Sequence, residues 1–475
     1  MKVFFFVIIL IYTADFCSFS QELIRKGVHQ QQLETFGSVH HTSAYRGTDT
    51  ALILPLSSQE SNTLSNIVFG FLPYWEYNNG AHNNMHYDLL SHVAIFNFQA
   101  SGNGSISNPS GWPWTEVINA AHAQATKVVM VVTNFNASEV HTLLTDTTAK
   151  NNLFNAIATQ ISTYQLDGVN IDFEGINATD RGSVLNAFLQ DLSDFIHTNF
   201  SGKEVSFDGP AVNWSAWQLN GLVQSVDLLF IMAYDYNGSW SSNTGACAPL
   251  IHPSGGICVS KSLDDDYAEA ISNYPEKIVL GVPYYGNHWT TTTENAGSPV
   301  NAYMGATLYR NTVANATYGN ALWDDNSLTS WYRWQDSDWH QIWADTMQSI
   351  ELKYDKAIEK NLGGVGIWAL NYDGNRAELW DLINSKFNNS MGNDAYHFNK
   401  NIVLYPNPTQ SDLFIKTTSG SEVVSYEIFN FLGEKIKSGN LSNKRIITHS
   451  LQKGIYIIQL WDSHQNKKSF TVIKN

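Results

Sequence analysis

From residue 68 onward the chain repeats one rhythm: a short apolar run, a polar turn, then apolar residues spaced three and four apart. The apolar runs lie at 68–72, 92–98, 127–133, 168–173, 205–207, 226–234, 277–283 and 364–370. Helical spacing recurs between them at 151–164, 181–200, 262–274, 345–360 and 378–387. Short runs bounded by turn signals suit strands buried on both faces, and strands alternating with helices imply a parallel sheet. Eight is the number that closes a barrel, so the predicted fold is α/β, a (β/α)8 TIM barrel. A doubly wound open sheet would show the same alternation, but no Gly-rich phosphate loop follows the first strand.

The fourth run departs from this pattern. In Leu166-Asp167-Gly168-Val169-Asn170-Ile171-Asp172-Phe173-Glu174, alternation puts Val169, Ile171 and Phe173 on one side and Asn170, Asp172 and Glu174 on the other. A buried face ending in two carboxylates costs several kcal/mol per charge unless the charges are used. Inward side chains at the C-terminal end of a barrel strand reach the face where barrel enzymes do chemistry. A carboxylic acid held there beside a second carboxylate has a raised pKa and can donate a proton, as cleavage of a glycosidic bond requires.

The flanks follow different rules. Residues 1–20 carry Lys2, an apolar run too short to span a bilayer, and smaller residues, and they read as a secretory signal. Phe16 is too bulky for the position before a lipidated Cys17. Residues 21–66 are polar and poorly periodic, a leader or linker with at most one amphipathic helix. Residues 67–388 form the predicted barrel, in which 289–343 is too long for one connection and implies a small aromatic-rich subdomain on the rim. A linker at 389–400 precedes 401–475, where short strands at 402–405, 413–416, 423–430, 445–448, 455–461 and 469–473 suggest a small C-terminal β-sandwich. From residue 401 there are nine Lys and Arg against five Asp and Glu, a net of +4, which leaves −20 on the rest of a chain of formal charge −16.

That acidity argues against nucleic acid and anionic membrane surfaces as partners. The 13% aromatic content suits a ligand with flat apolar faces, such as a sugar. Cys247 and Cys258 bracket a Gly/Pro-rich loop, and an oxidising destination predicts a disulfide between them. No Cys or His spacing implies a metal, and no cofactor is expected; His82 and His86 lack the glutamate a zinc protease would place after the first. Asp264, Asp265 and Asp266 follow Ser262, where they favour a helix dipole and Asp265 can complete a capping box.

Residues 167–174 resemble the strand-four signature of glycoside hydrolase family 18, Asp-x-x-Asp-x-Asp-x-Glu. Met232-Ala233-Tyr234-Asp235 resembles that family's strand-six motif. Gly281-Val282-Pro283-Tyr284-Tyr285-Gly286 resembles its strand-seven segment, and residues 364–368 its strand-eight tryptophan. The resemblance implies that Glu174 protonates the leaving oxygen while the substrate's own N-acetyl carbonyl attacks. Asp172 would accept the acetamide N–H, Tyr234 would donate to its carbonyl, Asp235 would tune the site, and Trp368 would floor it, with Gly364 and Gly366 leaving space for the indole. Asn170, Met232, Tyr285, Tyr74 and Trp75 are the further candidate substrate contacts. Two positions depart from the pattern: Asn170 replaces the second signature acid, and Val131-Val132-Thr133-Asn134 replaces the small-residue motif of strand three.

The tail, with Tyr405-Pro406-Asn407-Pro408-Thr409, Ile428-Phe429-Asn430, Gly433 and Gly454-Ile455-Tyr456, resembles the C-terminal sorting domain of type IX secretion cargo. This implies handling by the type IX machinery and a secreted or cell-surface enzyme exported through the periplasm. The expected activity is cleavage of β-1,4 links after N-acetylglucosamine, in chitin or its oligomers. The alternatives are an endo-acting hydrolase of peptidoglycan or N-glycan cores, and a non-catalytic sugar-binding protein.

Overall fold

The computed structural model describes residues 26–37, 52–57, 64–374, 376–388, 402–417, 423–430, 434–441, 444–462 and 467–475. The signal at 1–20, most of the leader, the linker at 389–400 and Gly433 lie outside them.

All eight predicted barrel strands form. They are β1 (Ile67–Pro73), β2 (His92–Ala100), β3 (Lys127–Asn134), β4 (Gly168–Phe173), β5 (Glu204–Gly209), β6 (Leu228–Ile231), β7 (Ile278–Pro283) and β8 (Gly364–Trp368). Each pairs in parallel with its neighbours in chain order, and β1 closes the ring by pairing with both β2 and β8. Their outward Val, Ile and Leu side chains pack under helices such as Thr147–Tyr164, Ser183–Asn199 and Met347–Glu359, giving one continuous core. The interior is aromatic. Phe71 meets Phe230 edge-on at 5.0 Å, and Phe69 and Trp368 lie 5.2 and 5.5 Å from Phe71.

The space beside Gly366 is filled differently from the sequence expectation. A Cβ there would lie 2.0 Å from the Phe230 ring, so the glycine admits that ring rather than the indole of Trp368. β6 also ends at Ile231, short of the predicted 234, because Met232 to Asp235 leave the ladder at the cleft. The helix predicted over 262–274 is broken into a π turn, Ser262–Asp266, and a helix, Ala268–Asn273. Ser262 is buried inside this run and donates to the Cys258 carbonyl, so no capping box forms with Asp265. Cys258 instead caps the short helical turn Val259–Lys261 that precedes the π turn, its Sγ accepting the Lys261 N–H.

One acid anchors the opposite end of the barrel. Asp167, just before β4, is buried and accepts from His122 Nε2 (2.8 Å), Val128 N (2.8 Å) and Lys203 Nζ (2.9 Å). Burial alone would raise its pKa, but the His122 bond, the Lys203 charge and the Val128 N–H together hold it below the ordinary carboxylate range. His122 also bonds the Leu54 carbonyl, which ties residues 52–57 of the leader to the barrel wall.

The rim insertion is a five-stranded antiparallel sheet. Its aromatics mostly pack on one another: Trp289 and Trp343 are buried, Trp331 stacks on Trp343 at 5.3 Å, and Trp334 stacks on His340 at 4.7 Å. They form the subdomain's core rather than an open sugar platform. The C-terminal region folds as three- and four-stranded sheets around Ile402, Leu413, Ile428, Ile458 and Leu460. All six predicted strands are present, with one more among the described residues at Lys435–Asn440, where Ile436 is the one large apolar side chain.

Candidate active site

The C-terminal ends of β4, β5, β6 and β8 converge on one pocket. Asp172 and Glu174 point into it from β4 and the residue after it, and both are buried. Tyr234 and Asp235 reach it from the irregular segment after β6, with Asp235 in a left-handed conformation (φ 58°) that aspartate tolerates better than most residues. Tyr285, at the start of the first insertion strand, donates to Asp235 Oδ1 at 2.7 Å. Trp368, the last residue of β8, is fully buried and lies flat on the pocket's inner side.

Asn170 sits one layer below Asp172. Its Nδ2 donates to Asp208 Oδ1 (2.8 Å) and to Ser206 Oγ (3.1 Å), both inward-facing on β5. A carboxylate therefore does stand beside the second signature position, supplied by the neighbouring strand. Sequence reasoning missed it by ending that strand at 207, although Ser206 and Asp208 alternate with Phe207 as inward positions must.

Several acids in one dry pocket cannot all ionise. Burial first, then the charges of Asp172, Asp235 and Asp208, push the Glu174 carboxyl well above the ordinary glutamate range, while the Gly27 backbone N–H pulls it down. Burial and the Asp172 charge raise Asp208 likewise, opposed by the Asn170 bond. Asp235 is pushed up to about 6 by burial, opposed by the Tyr285 hydrogen bond and the Cys247 contact. Burial and the surrounding carboxylates raise the Tyr234 phenol, so its hydroxyl remains a donor. The pocket thus holds an acid whose carboxyl is pushed well above the ordinary range, a second acid beside it and a phenol donor over an indole floor.

The leader occupies it. The helix Val28–Phe36 lies across the strand ends and buries Val28, His29 and Gln32. His29 Nδ1 is 2.9 Å from Asp172 Oδ2 and 3.5 Å from Glu174 Oε1, its Nε2 is 2.9 Å from the Tyr234 hydroxyl, and its ring stacks on Trp368 at 3.6 Å. Gln32 Oε1 accepts from Trp368 Nε1 (2.9 Å) and from the Tyr372 hydroxyl (2.7 Å). A cavity of about 200 Å³ remains beside the helix, lined by Gln32, Phe36, Asp235, Trp240 and Tyr285 among others. Among the described residues, His29, Asp172 and Glu174 are also the set whose donor atoms, within 4.8 Å of one another, could share a cation. No sequence pattern pointed to His29 or Gln32.

The remaining candidates fall outside the pocket's polar centre. Trp75 is buried, donates to the Tyr372 hydroxyl at 3.2 Å and has Phe36 of the leader helix against it at 6.1 Å. Tyr74 is half-buried beside it, and Met232 packs into the core. The predicted disulfide is absent: Cys247 and Cys258 are buried free thiols. Each is engaged elsewhere, Cys247 Sγ lying 3.9 Å from Asp235 Oδ1 and Cys258 Sγ capping the turn at Lys261.

Comparison with known proteins places this architecture. The model of glycosyl hydrolases family 18 matches residues 53–373, and that of the secretion system C-terminal sorting domain matches 403–474. The cortical fragment-lytic enzyme of Bacillus subtilis (strain 168) is 26% identical over 316 residues, covering 63% of this chain and 68% of that protein. The di-N-acetylchitobiase of Homo sapiens is 28% identical over 261 residues, covering 47% of this chain and 65% of that protein. The chain thus spans about two thirds of the length of these curated relatives. The crystal structure of a chitinase from Chromobacterium violaceum shares the fold, with a TM-score of 0.57 and 21% identity over 67% of this chain and 98% of that one. With the family model covering well over half of its residues, and the pocket at the C-terminal ends of its barrel strands, the chain belongs to the glycosyl hydrolases of family 18, a family of glycosidases.

Proposed function

We propose that the protein is an exported, retaining glycosidase that cleaves β-1,4 links after N-acetylglucosamine, with chitin or chito-oligosaccharides as substrate. One observation carries this reading: Glu174, buried with its carboxyl pushed up by burial and three neighbouring acids, shares a pocket with Asp172 and the Tyr234 hydroxyl above Trp368. In the mechanism, Glu174 gives its proton to the leaving oxygen as the acetamide carbonyl oxygen of the cleaved sugar attacks C1. The C1–O bond breaks and an oxazolinium forms. Asp172 accepts the acetamide N–H and balances the positive charge, and Tyr234 orients the carbonyl by donating to it. Water then attacks C1 from the face the leaving group vacated, giving its proton to the Glu174 carboxylate as the oxazolinium C1–O bond breaks and the acetamide re-forms, so configuration is retained. Asp235, Tyr285 and Asn170 act through their bonds on these groups. The C-terminal tail implies export, with type IX machinery as its handler and a secreted or surface-bound product.

Similarity to a cortical fragment-lytic enzyme supports a second substrate, the N-acetylglucosamine links of peptidoglycan. Full-length protein assayed on chitin oligomers, muropeptides and high-mannose glycoprotein separates these substrates. Glu174→Gln should lower turnover by at least about 100-fold, the scale of one general acid. Equal turnover by the two proteins would overturn the mechanism, and sugar binding without turnover would make the protein a lectin.

A further inference from the structure

We propose that residues 27–37 are an autoinhibitory segment, whose His29 occupies the seat of the reacting sugar's N-acetyl group and keeps the enzyme latent until the segment is cut free. The inference rests on the family 18 reading of Asp172, Tyr234 and Trp368.

The match is chemical. An acetamide offers one N–H donor and one carbonyl acceptor, separated by a single carbon. A neutral imidazole protonated on Nδ1 offers the same pair, again separated by one carbon. In the structure Nδ1 lies on Asp172 and Nε2 on the Tyr234 hydroxyl, each at 2.9 Å, the placement in which the Nδ1–H tautomer donates to the carboxylate and accepts from the phenol. The ring also lies on Trp368 at 3.6 Å with an interplanar angle of 27°, as a pyranose face would. Gln32 draws the indole N–H and the Tyr372 hydroxyl toward the helix. Gly27 passes so close to the acid that a Cβ there would lie 1.8 Å from Glu174 Oε2, so glycine lets the backbone cover the carboxyl without displacing it. Imidazole and sugar cannot share this space.

The helix's own sequence gives it little independent stability. Nine residues are too few to hold a helix in water. Its Lys26–Glu34 ion pair is exposed and contributes little. Its order comes from the cleft, through the buried face of Val28, His29 and Gln32 with Leu33 and Phe36 at the margin. A tether raises the local concentration of such a weak ligand to about the millimolar range, and cutting the tether removes that advantage.

The test uses the full chain with a protease site inserted between His40 and His41, cut after folding. Because the segment competes with substrate, apparent KM is raised by the reciprocal of the open fraction while kcat is unchanged. Cutting and desalting should lower KM by at least about tenfold, and His29→Ala in the uncut chain should do most of the same. A synthetic peptide of residues 26–37, titrated by calorimetry into the cut and desalted protein, should bind, and its His29→Ala version should not. An unchanged KM after cutting, with no peptide binding, would overturn the proposal. Protein that binds the peptide yet turns over no N-acetylglucosamine glycan would uphold the segment's seat and sink the proposed substrate instead.

Discussion

Replacing Asn170 by aspartate restores the family's second signature acid, and the structure predicts that this harms the protein. Asn170 Nδ2 now donates to Asp208 Oδ1 at 2.8 Å, with both side chains buried. In Asn170→Asp a further buried carboxyl meets Asp208, already pushed up by burial and Asp172, so the added acid keeps in the folded protein a proton that the unfolded chain releases near pH 3.9. The folded state then binds more protons, and stability relative to the parent falls as pH rises, by about 1.4 kcal/mol per unit. The penalty is near zero at pH 4 and grows to roughly 3–4 kcal/mol at pH 7 if the proton is retained there. The double variant Asn170→Asp/Asp208→Asn moves the acid to the signature position and reverses the hydrogen bond. It should recover to within about 1 kcal/mol of the parent, as expected of a conserved buried pair. Urea unfolding at pH 4, 5.5 and 7, followed by tryptophan fluorescence, measures this in the barrel, because all but Trp461 of the 15 tryptophans precede residue 401. A penalty independent of pH, or a double variant no more stable than the single one, would refute the pairing of Asn170 with Asp208.

Other consequences can be checked separately. Asp167→Asn should cost about 2–4 kcal/mol at neutral pH by unpairing His122 and Lys203. Since Asp167 is held below its unfolded pKa, that contribution is present above about pH 4 and lost as pH falls, so variant and parent should converge in acid unfolding. Tyr285→Phe removes a bond that restrains Asp235, so its ionisation should move upward from about 6, read by carboxyl NMR or the pH profile of kcat/KM. Cys247 and Cys258 should resist alkylation in the folded protein and react after unfolding, whereas a bridge would leave neither reactive without reductant.

The barrel was legible because its strands are buried on both sides, so their apolar runs stand out from any local context. Their ends were less so: the apolar run through Met232 and Tyr234 continues after the ladder has stopped, since pocket walls are as apolar as strands. Glu174, Asp172, Tyr234 and Trp368 were found from their motifs, and the fold brings them together. Asp208 was recoverable from alternation alone, one residue past where the strand was ended. His29 was not, because its partners lie 143 and 205 residues away and nothing in a nine-residue helix announces where it docks. The cysteines teach the converse lesson: proximity in sequence and a permissive compartment do not make a bond when each sulfur has another partner.

The helix at Val28–Phe36 is joined to the barrel it covers, and that changes how latency depends on circumstance. A separate inhibitor protects only while its concentration exceeds its dissociation constant, and its hold fades as a secreted protein spreads into a larger volume. A covalently attached one gives an occupancy set by chain geometry, the same at any dilution and always one per enzyme. Inhibition of this kind is therefore insensitive to expression level and to dilution, and yields to a break in the chain or to substrate concentrated enough to displace the segment.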